Sequence, residues 1–408
     1  MGFPRTIRIS RVLLTIAVLA SLLTACSPGS SDDPPETMMS TPPTAEVTDT
    51  PVTSAATAAP AKPETGTLTP EELLIHRPNE LAAIPVLEYH VITTDESAES
   101  DPFTRTADHM REDLQWLYDH DFHVITTRAF IENRISAPAG KRPVILTFDD
   151  AHSSQFRWTD NGNNVRLIDP DTAMGVLEGF FQGHPDFGRG GQFAVLPFKC
   201  FADDTPLNTI DDCPDKLRWM AANGYEIVNH TAGHQDLLDV TDEEFAFQVG
   251  DPMIWLNDIV QGEANMMDVL VMPYGNYPSR DLHPGQREMM RNGFTHEGQP
   301  VLLRAAFMVG ANPTESPSSS EYDPLFIARI QAFEASLDQW FGMIDDGDIL
   351  IYVSDGDPAT ITIPDPLSNS LVDQYDAGTI VADGYQLVRY APDTGEHVPH
   401  ELAHIADP

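Results

Sequence analysis

Three short segments of this 408-residue chain carry side chains suited to hydrolytic chemistry. The first is Val144-Ile145-Leu146-Thr147-Phe148-Asp149-Asp150, an apolar run that ends in two adjacent carboxylates. Neighbours on an extended chain point to opposite sides, so the two acids meet different surroundings. One could take a hard cation while the other faces a reacting water. In a chain so rich in Asp, an acidic turn is the plainer reading. The second segment is Asn229-His230-Thr231-Ala232-Gly233-His234, whose two imidazoles can converge on one metal if the segment turns helically. Spacing alone is weak support among 14 His, because His400 and His404 repeat it with His397 nearby. That trio lies in a polar tail and reads as a solvated terminus open to adventitious metal. The third segment, Val271-Met272-Pro273-Tyr274-Gly275, offers an aromatic wall for a sugar face at a strand-to-loop turn.

Positioning these groups needs a scaffold of alternating elements. Apolar patterning predicts strands over 85–90, 123–126, 143–148, 192–196, 225–228, 268–272, 302–309 and 348–353. Helices are predicted over 106–120, with Met110, Leu114 and Leu117 on one face, and over 214–222, stopped by Gly224. Another begins at Thr241, which with Glu244 forms the pattern of a capping box. Such alternation implies a mainly parallel sheet, as an α/β barrel or a doubly wound sheet, with the ligand beyond the strands' carboxyl ends. The acidic pair, the His230 pair and Pro273-Tyr274 all follow predicted strands; the tail histidines do not. Extra strands are expected at 360–363 and 379–390.

Composition narrows the partners. Lys and Arg number 23 against 63 Asp and Glu, a net charge of −40, which repels phosphate backbones and argues against nucleic acid. Arg5, Arg8 and Arg11 precede an apolar run from Val12 to Leu23, the layout of an export signal and too short for a membrane span. It ends in Leu23-Thr24-Ala25-Cys26, which resembles the lipobox of bacterial lipoproteins, where the Cys is lipidated. Of the next forty residues, 27 are Pro, Thr, Ser or Ala and none is aromatic, so they read as a tether. The expected organisation is a signal peptide over 1–25, lipidated Cys26 and tether over 26–67, a catalytic domain over 68–355 and an extension over 356–408. The expected location is extracytoplasmic, with a lipid anchor in the bacterial cell membrane. Cys200 and Cys213, thirteen apart in an exported chain, favour a local disulfide over two free buried thiols.

Taken together and in order, T-F-D-D, N-H-T-x-x-H and x-x-P-Y-G resemble the polysaccharide deacetylase family, the NodB-homology domain of carbohydrate esterase family 4. The resemblance runs from about Pro85 to Ser354. Val86-Leu87-Glu88-Tyr89-His90 is similar to the opening of its exported exopolysaccharide N-deacetylase branch. It implies a distorted, incomplete (β/α) barrel, here with a strand-rich C-terminal extension. It also implies hydrolysis of N-acetyl groups on N-acetylglucosamine-type polymers with one divalent metal, zinc before cobalt, nickel or manganese. Asp150, His230 and His234 match the family's metal triad, and Asp149 its catalytic base. The Tyr274 backbone N–H matches its oxyanion donor, with Pro273 and Tyr274 lining the substrate. Two departures stand out. Val271 occupies the place of the arginine that orients the base, leaving Arg329 and Arg304 as candidates for that cation. The family's late-strand Leu-x-His, a proton donor, matches 349–355 here and has no His, so His90, ahead of His152, is the candidate donor. About eighty residues separate Asp150 from His230, with a polar insertion over 161–171 that could shape a groove. An N-acetylated glycan is the expected partner and a monomer the expected state. The alternatives are a non-catalytic glycan-binding lipoprotein, or a metal-dependent hydrolase of non-sugar amides or O-acetyl esters.

Lipidation is directly testable in cells. Cys26→Ala should abolish incorporation of labelled fatty acid and release the protein from the membrane fraction; retained label would remove the anchor.

Overall fold

The computed structural model describes residues 67–160, 162, 165–203, 205–310 and 312–399. The expected signal peptide, Cys26, the tether up to residue 66, Asn161, His400 and His404 lie outside the described residues. Among those described, no helix is long and apolar enough to cross a membrane.

Eight strands build the main sheet: β1 (Val86–Tyr89), β2 (Phe122–Val124), β3 (Arg142–Phe148), β4 (Gln192–Val195), β5 (Glu226–Asn229), β6 (Asn265–Val271), β7 (Ala305–Phe307) and β8 (Ile330–Gln331). Their order is β7-β6-β5-β4-β3-β1-β8, all parallel, with β2 paired to the start of β3. The two edges come together. Phe307 pairs in parallel with Ile327, and β8 follows three residues later to pair with β1. Gly310 permits this crossing, since a Cβ there would stand 2.5 Å from the Arg329 nitrogen. The result is a curled, incomplete (β/α) barrel.

Strand alternation sorts the side chains into two layers. Leu87, Tyr89, Leu146, Phe148, Phe193, Val195 and Ile227 face outward, against Met110, Leu114, Leu177, Leu217 and Met220 of the surrounding helices. Val86, Ile145, Ala194, Val228, Val269, Val271, Phe307 and Ile327 form the interior. Polar residues take over on the same face towards the carboxyl ends, and there the site lies.

Several expectations change. Residues 348–353 form only isolated bridges, Ala83 to Ile351 and Asn79 to Val353, because their backbone pairs with the segment preceding β1. The position beside β1 belongs to β8, which also lacks histidine. The strand expected at 302–309 shrinks to 305–307. Residues 379–382 are helical rather than extended, because Asp376 caps the helix Ala377–Ala382 by accepting from the Gly378 and Thr379 N–H groups. Thr241 caps its helix, but the Glu244 carboxylate accepts from Gln248.

The extension contributes two parallel strands, β9 (Thr360–Pro364) and β10 (Gln386–Tyr390). Ile361, Ile363, Leu371 and Ile380 pack on Leu81 and Ala82. Beside them, buried Glu80 accepts from the Tyr352 hydroxyl at 3.0 Å, the Asp355 N–H at 3.1 Å and the Thr362 N–H at 2.8 Å. Burial, with repulsion from Asp355, holds the Glu80 carboxyl well above the ordinary range. The folded state therefore keeps a proton that the unfolded chain releases, so stability is full below the ordinary glutamate pKa and falls as pH rises towards the folded value. Each unit of that elevation is worth about 1.4 kcal/mol. Between pH 5 and pH 8 the parent should lose more thermal stability than Glu80→Gln; parallel Tm profiles would show that Glu80 has no such linkage.

Candidate active site

The acidic pair leaves the end of β3 and divides at once. Asp150 and Ala151 take left-handed conformations (φ 78° and 47°), which carry the second carboxylate away from the barrel interior. Asp150 Oδ1 stands 3.3 Å from His230 Nε2 and 3.2 Å from His234 Nε2, and the three ligand atoms lie within 4.8 Å of one another. The segment from His230 to His234 converges without a helix. Thr231 and His234 are left-handed (φ 72° and 52°), and the His234 N–H donates to Thr231 Oγ1, so a tight turn brings the imidazoles together. His230 Nδ1 bonds the Val271 carbonyl at 3.0 Å, which commits its N–H there and leaves Nε2 free for a cation. Partial burial disfavours charge on Asp150, yet the contacts from His230 and His234 hold its carboxyl far below the ordinary range. One carboxylate and two imidazoles with converged atoms fit a divalent ion with open positions.

Asp149 faces inward and is 2% exposed. Arg329 grips it with a fork: Nη1 donates to Oδ1 and Nη2 to Oδ2, each at 2.8 Å. The guanidinium has no exposure; its Nε donates to the Met308 carbonyl and Nη1 also to Thr147 Oγ1. Burial alone would raise Asp149, but Arg329 more than offsets it and keeps the carboxyl below the ordinary range. Arg304, the other candidate cation, instead pairs with Asp268 and Glu132.

Around this centre the structure gathers some expected residues and leaves others aside. His90 Nε2 lies 4.0 Å from Asp149 Oδ2 and 3.6 Å from Glu88 Oε1, and Phe103 packs edge-on against its ring. Burial lowers its affinity for a proton, against the pull of Asp149 and Asp150. His152 instead engages Ser154 through Nδ1 at 2.8 Å. Tyr274, left-handed at φ 58° after buried Pro273, presents a ring 62% exposed and edge-on to His234.

Residues 197–286 match the family model described as polysaccharide deacetylase, a span holding His230, His234 and Pro273-Tyr274. Over that span the chain is similar to the polysaccharide deacetylase family. Among solved structures it is similar to the Streptococcus pyogenes deacetylase PplD, crystallised with acetate, at 18% identity and TM-score 0.44, over 62% of this chain and 93% of that one. IcaB from Ammonifex degensii matches at 18% identity and TM-score 0.44, over 64% and 96% of the two chains. The putative polysaccharide deacetylase BA0330 from Bacillus anthracis matches at 14% and 0.44, over 64% and 68%. A search of the curated proteins finds no match.

Three features of this site escape the sequence reading. Lys199 places Nζ 3.6 Å from Asp150 Oδ2, on a loop shaped by the Cys200–Cys213 disulfide. Gln155 Nε2 donates to the carbonyls of His90 and Asp149, tying the first strand's end to the acidic motif. Glu88 is fully buried beside Arg329 and His90. Only Glu88 left a signal, a lone charge inside an apolar strand at the two-residue spacing from His90.

The fork on Asp149 should not tolerate a point charge. Arg329→Lys keeps the sign but loses at least one charge-assisted hydrogen bond, about 1.5–3 kcal/mol. Urea unfolding of this variant should show that loss; a parental midpoint would mean that the pair is not held as described.

Proposed function

We propose that this protein is a deacetylase that removes N-acetyl groups from N-acetylglucosamine-type polysaccharide outside the cytoplasm, with one divalent ion, zinc foremost, held by Asp150, His230 and His234. The observation that carries the reading is the division of two adjacent carboxylates. Asp150 turns to the imidazoles, while Asp149 turns to a buried guanidinium. A bound ion would polarise the acetyl oxygen and acidify a water. Asp149, kept ionised and oriented by Arg329, takes the proton of that water as it attacks. The backbone N–H of Tyr274 supports the developing oxyanion, while the exposed Tyr274 ring and Pro273 border the sugar. His90 supplies the proton that the departing amine requires. The lipidated Cys26 and tether hold the domain near its polymer while leaving it free to search.

Acetate release by the full chain tests the substrate and metal together, with N-acetylglucosamine oligomers and an acetyl ester run in parallel, with and without chelator. Release from the oligomers that stops with chelator and returns with zinc is expected. Release from the ester alone would move the assignment to O-acetyl groups, and none from either would leave a glycan-binding protein. Ala at His230, His234 or Asp150 should lower metal content and rate together. Asp149→Asn should keep the metal and lose about 100-fold or more in rate; parental rates in that variant would end the base assignment.

A further inference from the structure

Glu88 has no part in the reaction just described, yet its burial demands one. It interrupts the apolar run of β1 and shares the interior face with Val86 below it and His90 above it. Its side chain has no exposure, and neither carboxyl oxygen has a hydrogen-bond partner among the described residues. Two groups stand close: Arg329 Nη2, already committed to Asp149, at 3.3 Å from Oε1, and His90 Nε2 at 3.6 Å from the same oxygen.

Charge counting in this enclosed layer is restrictive. Arg329 contributes one positive charge and Asp149 one negative, which cancel. Asp150 and His230, the other charged or titratable groups acting on this corner, belong to the metal triad. Glu88 and His90 are then neutral together only when they hold one proton between them. An unpaired ionised carboxylate in such a place costs several kcal/mol, and a proton removes that cost. Burial pushes Glu88 up to about 8, with Arg329 offsetting only part of the effect and Asp149 and Asp150 adding to it. Burial meanwhile lowers His90.

We propose that Glu88 is a positioning residue for His90, and that the two side chains share one proton which His90 passes to the leaving amine. This rests on the reading of His90 as donor. The proton balance closes. Water gives a proton to Asp149 as its oxygen bonds the acetyl carbon. The pair gives its proton through His90 to the amide nitrogen as the C–N bond breaks. Asp149 then returns its proton to His90, whose Nε2 is 4.0 Å from Oδ2. Acetic acid and amine depart, and each group regains its starting state.

The test uses the full, zinc-loaded chain carrying Glu88→Gln, with Glu88→Met measured in the same way should the amide fail to fold. On N-acetylglucosamine oligomers kcat should fall about 10- to 100-fold, with KM and metal content unchanged. The alkaline limb of the pH–rate profile should move to lower pH, since a buried imidazole without its partner loses its proton earlier. The loss on 4-nitrophenyl acetate, whose phenolate leaves without a proton, should be at least about tenfold smaller than on the amide. Equal losses on the two substrates with an unmoved alkaline limb would make Glu88 a structural residue and overturn the proposal. Parental amide turnover in Glu88→Gln would overturn it too. His90→Ala separates the two levels: lost amide turnover there beside an unaffected Glu88→Gln removes Glu88 alone, whereas parental turnover in His90→Ala removes the donor reading itself.

Discussion

A guanidinium with no access to water must be surrounded by acceptors, and Arg329 sets the terms for the rest of this barrel. Taking such an ion out of water costs several kcal/mol, recovered only with excellent geometry on every side. Asp149 supplies two acceptors, Met308 a carbonyl, Thr147 a hydroxyl and Glu88 a second carboxyl in contact. These come from three separate segments, so the ion, carried on the approach to β8, is satisfied only where that approach meets β1, β3 and the end of β7. Closing the curled sheet through Ile327 and Ile330 is what brings them together, and Gly310 makes room for that passage.

Above this layer the backbone does work that regular structure cannot. Asp150, Ala151, Thr231, His234 and Tyr274 are non-glycine residues at positive φ, all in the loops that leave β3, β5 and β6. Each such conformation costs on the order of 1 kcal/mol or more and persists only where its surroundings enforce it. The return is direction. Asp150 swings away from Asp149, His234 folds back towards His230, and the Tyr274 ring stands out against His234.

Much of this was readable before any coordinates. Asp149, Asp150, His230, His234 and Tyr274 each follow an apolar strand, and parallel strands deliver their last residues to one end of a sheet. In the sequence the turn joining the two histidines stays conditional on a helical path, because the i, i+4 spacing also suits a helix and left-handed residues give no signal in Thr or His. Nothing local distinguished Arg329 from Arg304. One lies 180 residues beyond its carboxylate partner, and the choice depends on which segment closes the barrel, a purely tertiary fact. The same fact moved the late strand from 348–353, where apolar residues are denser, to the two-residue β8.

The closed interior also bears on how such a site can change over generations. Val271, where the resemblance implies an orienting arginine, faces the same interior as the residues around Arg329, although it lies on a different strand. On a cylinder, several positions far apart in sequence look onto one point near the axis. A charge needed at that point can therefore be handed from one strand to another, provided that the vacated position turns apolar and keeps the volume filled. An alignment would register such an exchange as a lost arginine and an unrelated gain. For the carboxylate at the centre, the guanidinium has only approached from another side.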